Sequence, residues 1–167
     1  MELSIDKSRN EIEIYQELSM MLKQLVVPTD KLLSSLSNFV SMLKESFRKI
    51  SWVGFYIADN DKLFLGPFQG NTACTEILFG KGVCGTVAQT QSALIVDDVN
   101  KFSNHIACDS KSQSEIVIPI IIGGTTWGGL DVDSYYLKSF SEVDKNYLEN
   151  FIEYLVKNLE LNKFILR

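Results

Sequence analysis

The sequence is poor in the residues that staple, break or coordinate: three cysteines, three prolines and one histidine among 167 residues. An odd, small number of cysteines argues against a structural disulfide framework and leaves metal binding, redox chemistry or plain core packing. Positive charge is also scarce. Sixteen basic residues against twenty-one acidic ones give a net charge of -5, with no Lys/Arg cluster, so nucleic-acid and anionic-membrane partners are not expected. No apolar run approaches the ~18 residues that a membrane span needs. The opening MELSIDKSRNEIEIYQ alternates charge without an apolar core, so neither a signal peptide nor a span is expected, and a cytoplasmic location is. There is no internal repeat and no low-complexity segment. What remains, 46% hydrophobic and 22% charged, suits a single domain, residues 1–167, able to bury one substantial core.

Along the chain, Ile12, Tyr15, Leu18, Leu22 and Leu25 recur at spacings of three and four, predicting an amphipathic helix that stops before Pro28. Its apolar face would suit pairing with a second copy, as a homodimer. A second helix is expected after Thr29 or Asp30, either of which can cap it, with Leu32, Leu36, Val40, Leu43 and Phe47 on one face. From residue 51 the pattern favours strands: residues 52–58 and 63–68 flank an acidic turn, and Pro67, which has no donor, marks an edge or an end. A helix-like piece and a short apolar strand at residues 92–96 follow, then a polar segment of about eighteen residues, a length that in a compact domain marks a functional loop.

A second hairpin is signalled by residues 116–122, Gly123-Gly124 and residues 125–133. Side chains alternate along a strand, so Asp131 and Asp133 share a face. A three-residue loop centred on Gly124 would put Glu115 opposite Asp133 on that face; a two-residue turn would put it on the other. The last helix has Ser141 and Asp144 as its capping pair and an apolar stripe through Val143, Tyr147, Leu148, Phe151, Ile152, Leu155, Val156 and Leu159. The order of elements predicts an α/β (α+β) fold: a mostly antiparallel sheet with N- and C-terminal helices on one face and a loop-covered pocket on the other.

Cys84 lies in the Gly-rich run GKGVCG and Cys108 in the polar segment HIACD, the setting of a thiol pair that does chemistry rather than of core cysteines. His105 would face Cys108 across one helical turn, whereas Asp109 opposes a low thiol pKa. Zinc is disfavoured, because Cys74, Cys84 and Cys108 are spaced by ten and twenty-four and close C-x2-C pairs are lacking. Two aspartates within a strand are unfavourable by propensity; beside Glu115 they would suit a primary ammonium ligand. Crowding would raise their pKa values and let one serve as an acid. Trp52 and Tyr56, four apart on a strand, could wall such a pocket.

GKGVCG at residues 80–85, NHIACDSKSQSEIVIPI at 104–120, GGLDVDS at 128–134 and the upstream SWVGFY and FQG together resemble the free methionine-R-sulfoxide reductases, stand-alone enzymes of the GAF-domain fold. The resemblance implies that Cys108 is the nucleophile, Cys84 the main resolving cysteine and Cys74 a second resolver. It further implies that Glu115, Asp131 and Asp133 hold the substrate amino group and help to protonate the sulfoxide oxygen, and that Trp52 and Tyr56 enclose the methyl end. Free methionine-R-sulfoxide as substrate, a thioredoxin-type dithiol as reductant, and no metal or organic cofactor complete the expectation. Two departures stand out: Thr75-Glu-Ile-Leu-Phe79 lacks the Arg and Pro of the family pattern, and Tyr135-Tyr-Leu-Lys138 replaces a proline-containing turn. The competing expectation is a non-catalytic GAF-type sensor that binds a small ligand, which would have no need of a thiol pair.

Overall fold

The computed structural model describes residues 5–27, 31–106 and 108–163; Pro28 and the expected caps Thr29 and Asp30 lie outside them. Helix α1, Glu11–Leu25, begins where the Asn10 side chain accepts the Glu13 N–H and acidic Glu11 and Glu13 occupy the first turn, satisfying an orphan donor and the helix dipole. Ile14, Tyr15, Leu18 and Leu22 are its buried face, and Ile12 is left exposed, so the stripe sits one step further round than the spacing predicts. Helix α2 spans Leu32–Ser46 and buries Leu36, Phe39, Val40, Met42 and Leu43.

Strands β1, Trp52–Asp59, and β2, Lys62–Gln69, form the first hairpin. A third strand the pattern does not predict, β3 at Glu76–Leu78, pairs with only the first part of β2, from Lys62 to Phe64. Pro67 lies beyond that contact, where a missing N–H costs no ladder bond to β3. Helix α3, Gly82–Thr90, precedes β4, Leu94–Val96. A 3-10 turn at Val99–Lys101, the long hairpin β5, Ser114–Ile122, with β6, Thr125–Ser134, and helix α4, Glu142–Asn158, follow. All strand pairs are antiparallel, in the order β3-β2-β1-β6-β5-β4.

Alternation along the strands divides the interior in two. Val53, Phe55, Ile116, Ile118, Leu130 and Val132 face α1, α2 and α4 in the larger core. Trp52, Tyr56, Val117 and Leu63 face the other way, onto Val83, Cys84 and Val87 of α3. Helix α4 alone buries Leu148, Phe151, Ile152 and Leu155, each worth roughly 1.5–3 kcal/mol as an upper estimate. The predicted layout, terminal helices on one face and a pocket on the other, is the one observed.

The β5–β6 register holds a lesson in turn chemistry. Gly123 and Gly124 both have positive φ, 58° and 79°, and close a two-residue turn with Ile122 opposite Thr125. That turn by itself would place Glu115 on the helix face. A β-bulge corrects it: Ile121 pairs with Thr126 but Ile120 pairs with Gly128, which puts one extra residue, Trp127, on β6. Glu115 therefore stands opposite Asp133 after all. The expected pairing holds, and a bulge produces it, not the three-residue loop.

Asp144 ties the helical layer together. Fully buried, it accepts from Tyr15 Oη at 2.7 Å and from Lys49 Nζ at 2.7 Å, while Oδ2 takes the Ser141 N–H at 2.8 Å in a capping box. Replacing it would leave the buried Tyr15 phenol without its acceptor, remove the α4 cap and reduce the largely buried Lys49 ammonium to its one remaining carboxylate, Glu11 at 2.6 Å. Asp144→Ala is expected to lose about 3–5 kcal/mol of unfolding free energy in a urea titration; a loss within the range of an exposed surface change would refute this role.

Candidate active site

The acids come from two neighbouring strands. Glu115 opposes Asp133, and Val117 opposes Asp131, so the three carboxylates project from the same face at the end of the β5–β6 ladder. On the other side of β6, Trp52 opposes Asp133 and Gly54 opposes Asp131. Trp52 stacks on Tyr56 and Phe68, with ring centroids 6.1 and 5.5 Å apart. Trp52 and Tyr56 line a pocket with Asp131 and Asp133.

Cys84 reaches the same face from α3. The start of that helix is pressed against β3: a Cβ on Gly85 would lie 2.2 Å from the Leu78 carbonyl oxygen, so only glycine permits the approach. Asn104 donates through its side chain to the Gly80 carbonyl, and its own carbonyl accepts the Gly82 N–H at 2.8 Å, which docks the following loop on the helix start. The Cys84 sulfur ends up buried, 3.8 Å from Glu115 Oε1. Burial and then the charges of Asp131 and Glu115 push its pKa well above the ordinary thiol value, which outweighs the favour a helix start gives a thiolate. Cys84 remains a thiol at neutral pH.

The expectation that Cys84 joins Cys108 is corrected. Cys108 is bonded to Cys74, with Cα atoms 5.2 Å apart, and Cys84 is free. The reason lies in the anchoring of each residue: α3 holds Cys84 against the acids, whereas Cys74 arrives on the loop between β2 and β3 with its carbonyl accepting the Tyr56 hydroxyl at 2.9 Å. Burial keeps that phenol protonated and a donor. Cys108 lines the cavity together with Cys84, Glu115, Asp131 and Asp133.

Asp109 does not confront Cys108 with a free charge. Its Oδ1 accepts the Lys111 N–H at 3.0 Å, and Oδ2 accepts from Asn71 Nδ2 at 3.2 Å and Tyr135 Oη at 3.0 Å. These bonds, the Lys111 amide first, hold its pKa below the usual carboxylate value. Neither partner carries a sequence signal, since they lie 38 and 26 residues away; only the Asp next to the cysteine could have drawn attention. His105 also lines the cavity, though not from the helical turn that would set it against Cys108, and burial lowers its pKa, so it stands there as a neutral imidazole and not as a cation.

No lysine or arginine stands among the described residues lining this cavity. The carboxylates therefore compensate one another only through protons. Desolvation pushes Asp131 up to about 6, and raises Glu115 and Asp133 well above their ordinary values, with the neighbouring acids adding to both. A pocket of this kind accepts a cationic ligand group and can donate a proton.

Comparison with known proteins places this geometry in context. The GAF domain family matches residues 32–158. The free methionine-R-sulfoxide reductase of Saccharomyces cerevisiae is 41% identical over 157 residues, covering 89% of this chain and 87% of that protein. Its Escherichia coli namesake is 38% identical over 150 residues, covering 90% and 91%. An X-ray structure of the free methionine-R-sulfoxide reductase from Neisseria meningitidis, in complex with its substrate, superposes with a TM-score of 0.89 at 37% identity, covering 97% of both chains.

The raised carboxylates make stability depend on pH. An acid whose folded pKa is raised contributes stability fully below its unfolded value, 3.8 for Asp131, and loses it as pH rises through about 6. His105, lowered by burial, works in the opposite direction. An Asp131→Asn variant removes the acid and the effect of its charge on Glu115 and Asp133: between about pH 5 and about pH 7, urea unfolding of the unliganded wild type is expected to weaken with rising pH more steeply than that of the variant. Parallel curves would refute the assignment.

Proposed function

Because the chain belongs to the GAF-domain family and, within it, to the free methionine-R-sulfoxide reductases, we propose that Cys108, Cys74 and three acids carry out that reduction in a fixed division of labour. The observation that carries the reading is the Cys74–Cys108 disulfide at the edge of a cavity floored by Glu115, Asp131 and Asp133. A sensor that only holds a ligand has no use for such a bond.

Cys108 is the nucleophile, a choice supported by its position in the cavity wall with the acids, where Cys74 does not take part. Its thiolate attacks the sulfoxide sulfur of free methionine-R-sulfoxide. Protonated Glu115 or Asp133 delivers a proton to the oxygen, methionine leaves, and the oxygen stays on Cys108 as a sulfenic acid. Cys74 condenses with it, water departs, and the two sulfurs are joined. A thioredoxin-type dithiol then reduces this bond by exchange, favoured by the partial exposure of both cysteines. Cys84, buried and protonated, is not the resolver.

Asp131 and the acid that is not donating the proton hold the substrate ammonium, and Trp52 and Tyr56 enclose the methyl end. A peptide-bound sulfoxide has a neutral amide in place of that ammonium and would leave buried acid unpaired. Selectivity for the free amino acid follows from charge, not from size alone.

With dithiothreitol as reductant, free L-methionine-R-sulfoxide is expected to turn over, and the S epimer and a peptide-bound sulfoxide to react at least ~100-fold more slowly, a difference of about 2.7 kcal/mol. Without reductant, Cys108→Ser should release no methionine and Cys74→Ser about one equivalent per chain. Cys84→Ser should still lose about 2 Da on treatment with sulfoxide as Cys74 joins Cys108. Exchange of the first two results would invert the assignment of nucleophile and resolver.

A further inference from the structure

Once Cys74 and Cys108 are joined, Cys84 is a buried thiol that the chemistry leaves unused. We infer that Cys84 Sγ, Glu115 and Asp131 form a binding site for a thiophilic divalent cation, Zn²⁺ or Cd²⁺, which enters where the substrate ammonium would otherwise sit. One ligand atom from each of the three lies within 4.8 Å of the others. The 3.8 Å between Cys84 Sγ and Glu115 Oε1 is close to the roughly 3.6 Å that separates a sulfur and an oxygen on one tetrahedral zinc. Asp131 supplies a second, independent mark: its Oδ1 is buried without a hydrogen-bond partner, a costly state for a carboxylate oxygen unless a ligand completes it.

The donor set decides the metal. One sulfur with two oxygens favours zinc or cadmium, whereas calcium and magnesium require oxygen shells. On binding, the S–H bond of Cys84 breaks, its proton leaves to solvent, and the thiolate bonds the cation; nothing is oxidised or reduced. Two carboxylates and a thiolate then surround a charge of opposite sign in a cavity that has no lysine or arginine among its described lining residues. Sequence spacing disfavours a metal built on the three cysteines and His105; this site uses only one of them. The cation is a competitor, not a cofactor. Its competition with substrate rests on the reading that the acids hold the ammonium, but the site itself does not.

The oxidised protein makes the test direct, because Cys84 is then the single thiol of the chain. Titrated with cadmium chloride, it should develop the ultraviolet thiolate-to-cadmium charge-transfer band, saturating at one cadmium per chain. The band should be absent in Cys84→Ser, and its midpoint should move at least ~10-fold higher in Asp131→Asn, about 1.4 kcal/mol. Circular dichroism checks that each variant is folded; Asp131→Asn decides the matter should Cys84→Ser fail to fold. No band, or a midpoint unchanged in Asp131→Asn, overturns the site. Excess free methionine should raise the midpoint at least ~10-fold, and a midpoint indifferent to methionine overturns the shared position. Sulfoxide reduction assayed with a chelator present is independent of both, so failure of the cation site and failure of the reductase reading cannot be confused.

Discussion

Three carboxylates side by side, Glu115 and Asp131 buried and Asp133 half-buried, with no lysine or arginine among the described residues lining the cavity, set the terms for the pocket. Charged groups taken out of water cost several kcal/mol each unless paired, and here the available remedies are protons or a positively charged guest. Desolvation comes first among the causes that raise all three pKa values. The same unpaired charge suits a cationic group and keeps an acidic proton available. In the proposed mechanism, recognition and proton delivery thus draw on one electrostatic deficit, which the helical layer on the far side of the sheet must outweigh.

That opposition is written on alternate residues of one strand. Leu130 and Val132 face the larger core, whereas Asp131 and Asp133 face the cavity. Gly128 of β6 pairs with Ile57 of β1, and a Cβ there would come within 2.1 Å of the Tyr56 carbonyl oxygen. The backbone of β6 is therefore held closely against β1, and the acids have little freedom to swing toward solvent.

Much of this was legible in the residues. Period-3.6 stripes located α1, α2 and α4, the Ser141–Asp144 pair marked the start of α4, and alternation put Asp131 with Asp133. Failures fell where local pattern lacks information. β3 is only three residues long and too short for a periodic signal. The bulge at Trp127 cannot be seen from the glycines of the turn, yet it decides on which face Glu115 lies. The resemblance implies Cys84 as the main resolver, and that pairing fails because α3 is anchored, with Gly85 packed on the Leu78 carbonyl and the Cys84 sulfur buried beside Glu115. Motif proximity indicated which sulfurs mattered, and only tertiary anchoring separated the buried one from the pair that meets.

Outside the disulfide, Asn71, Asp109 and Tyr135 join three loops by hydrogen bonds among themselves. This clasp does not involve sulfur, so reduction of the cross-link breaks none of its bonds directly. The two cysteines are 34 residues apart in the chain, and an untethered pair would face the entropy of closing that loop in every cycle. Held by the clasp, they keep a high effective concentration for each other, so that in the proposed mechanism a sulfenic acid on one would meet its intramolecular neighbour ahead of thiols diffusing in bulk solution.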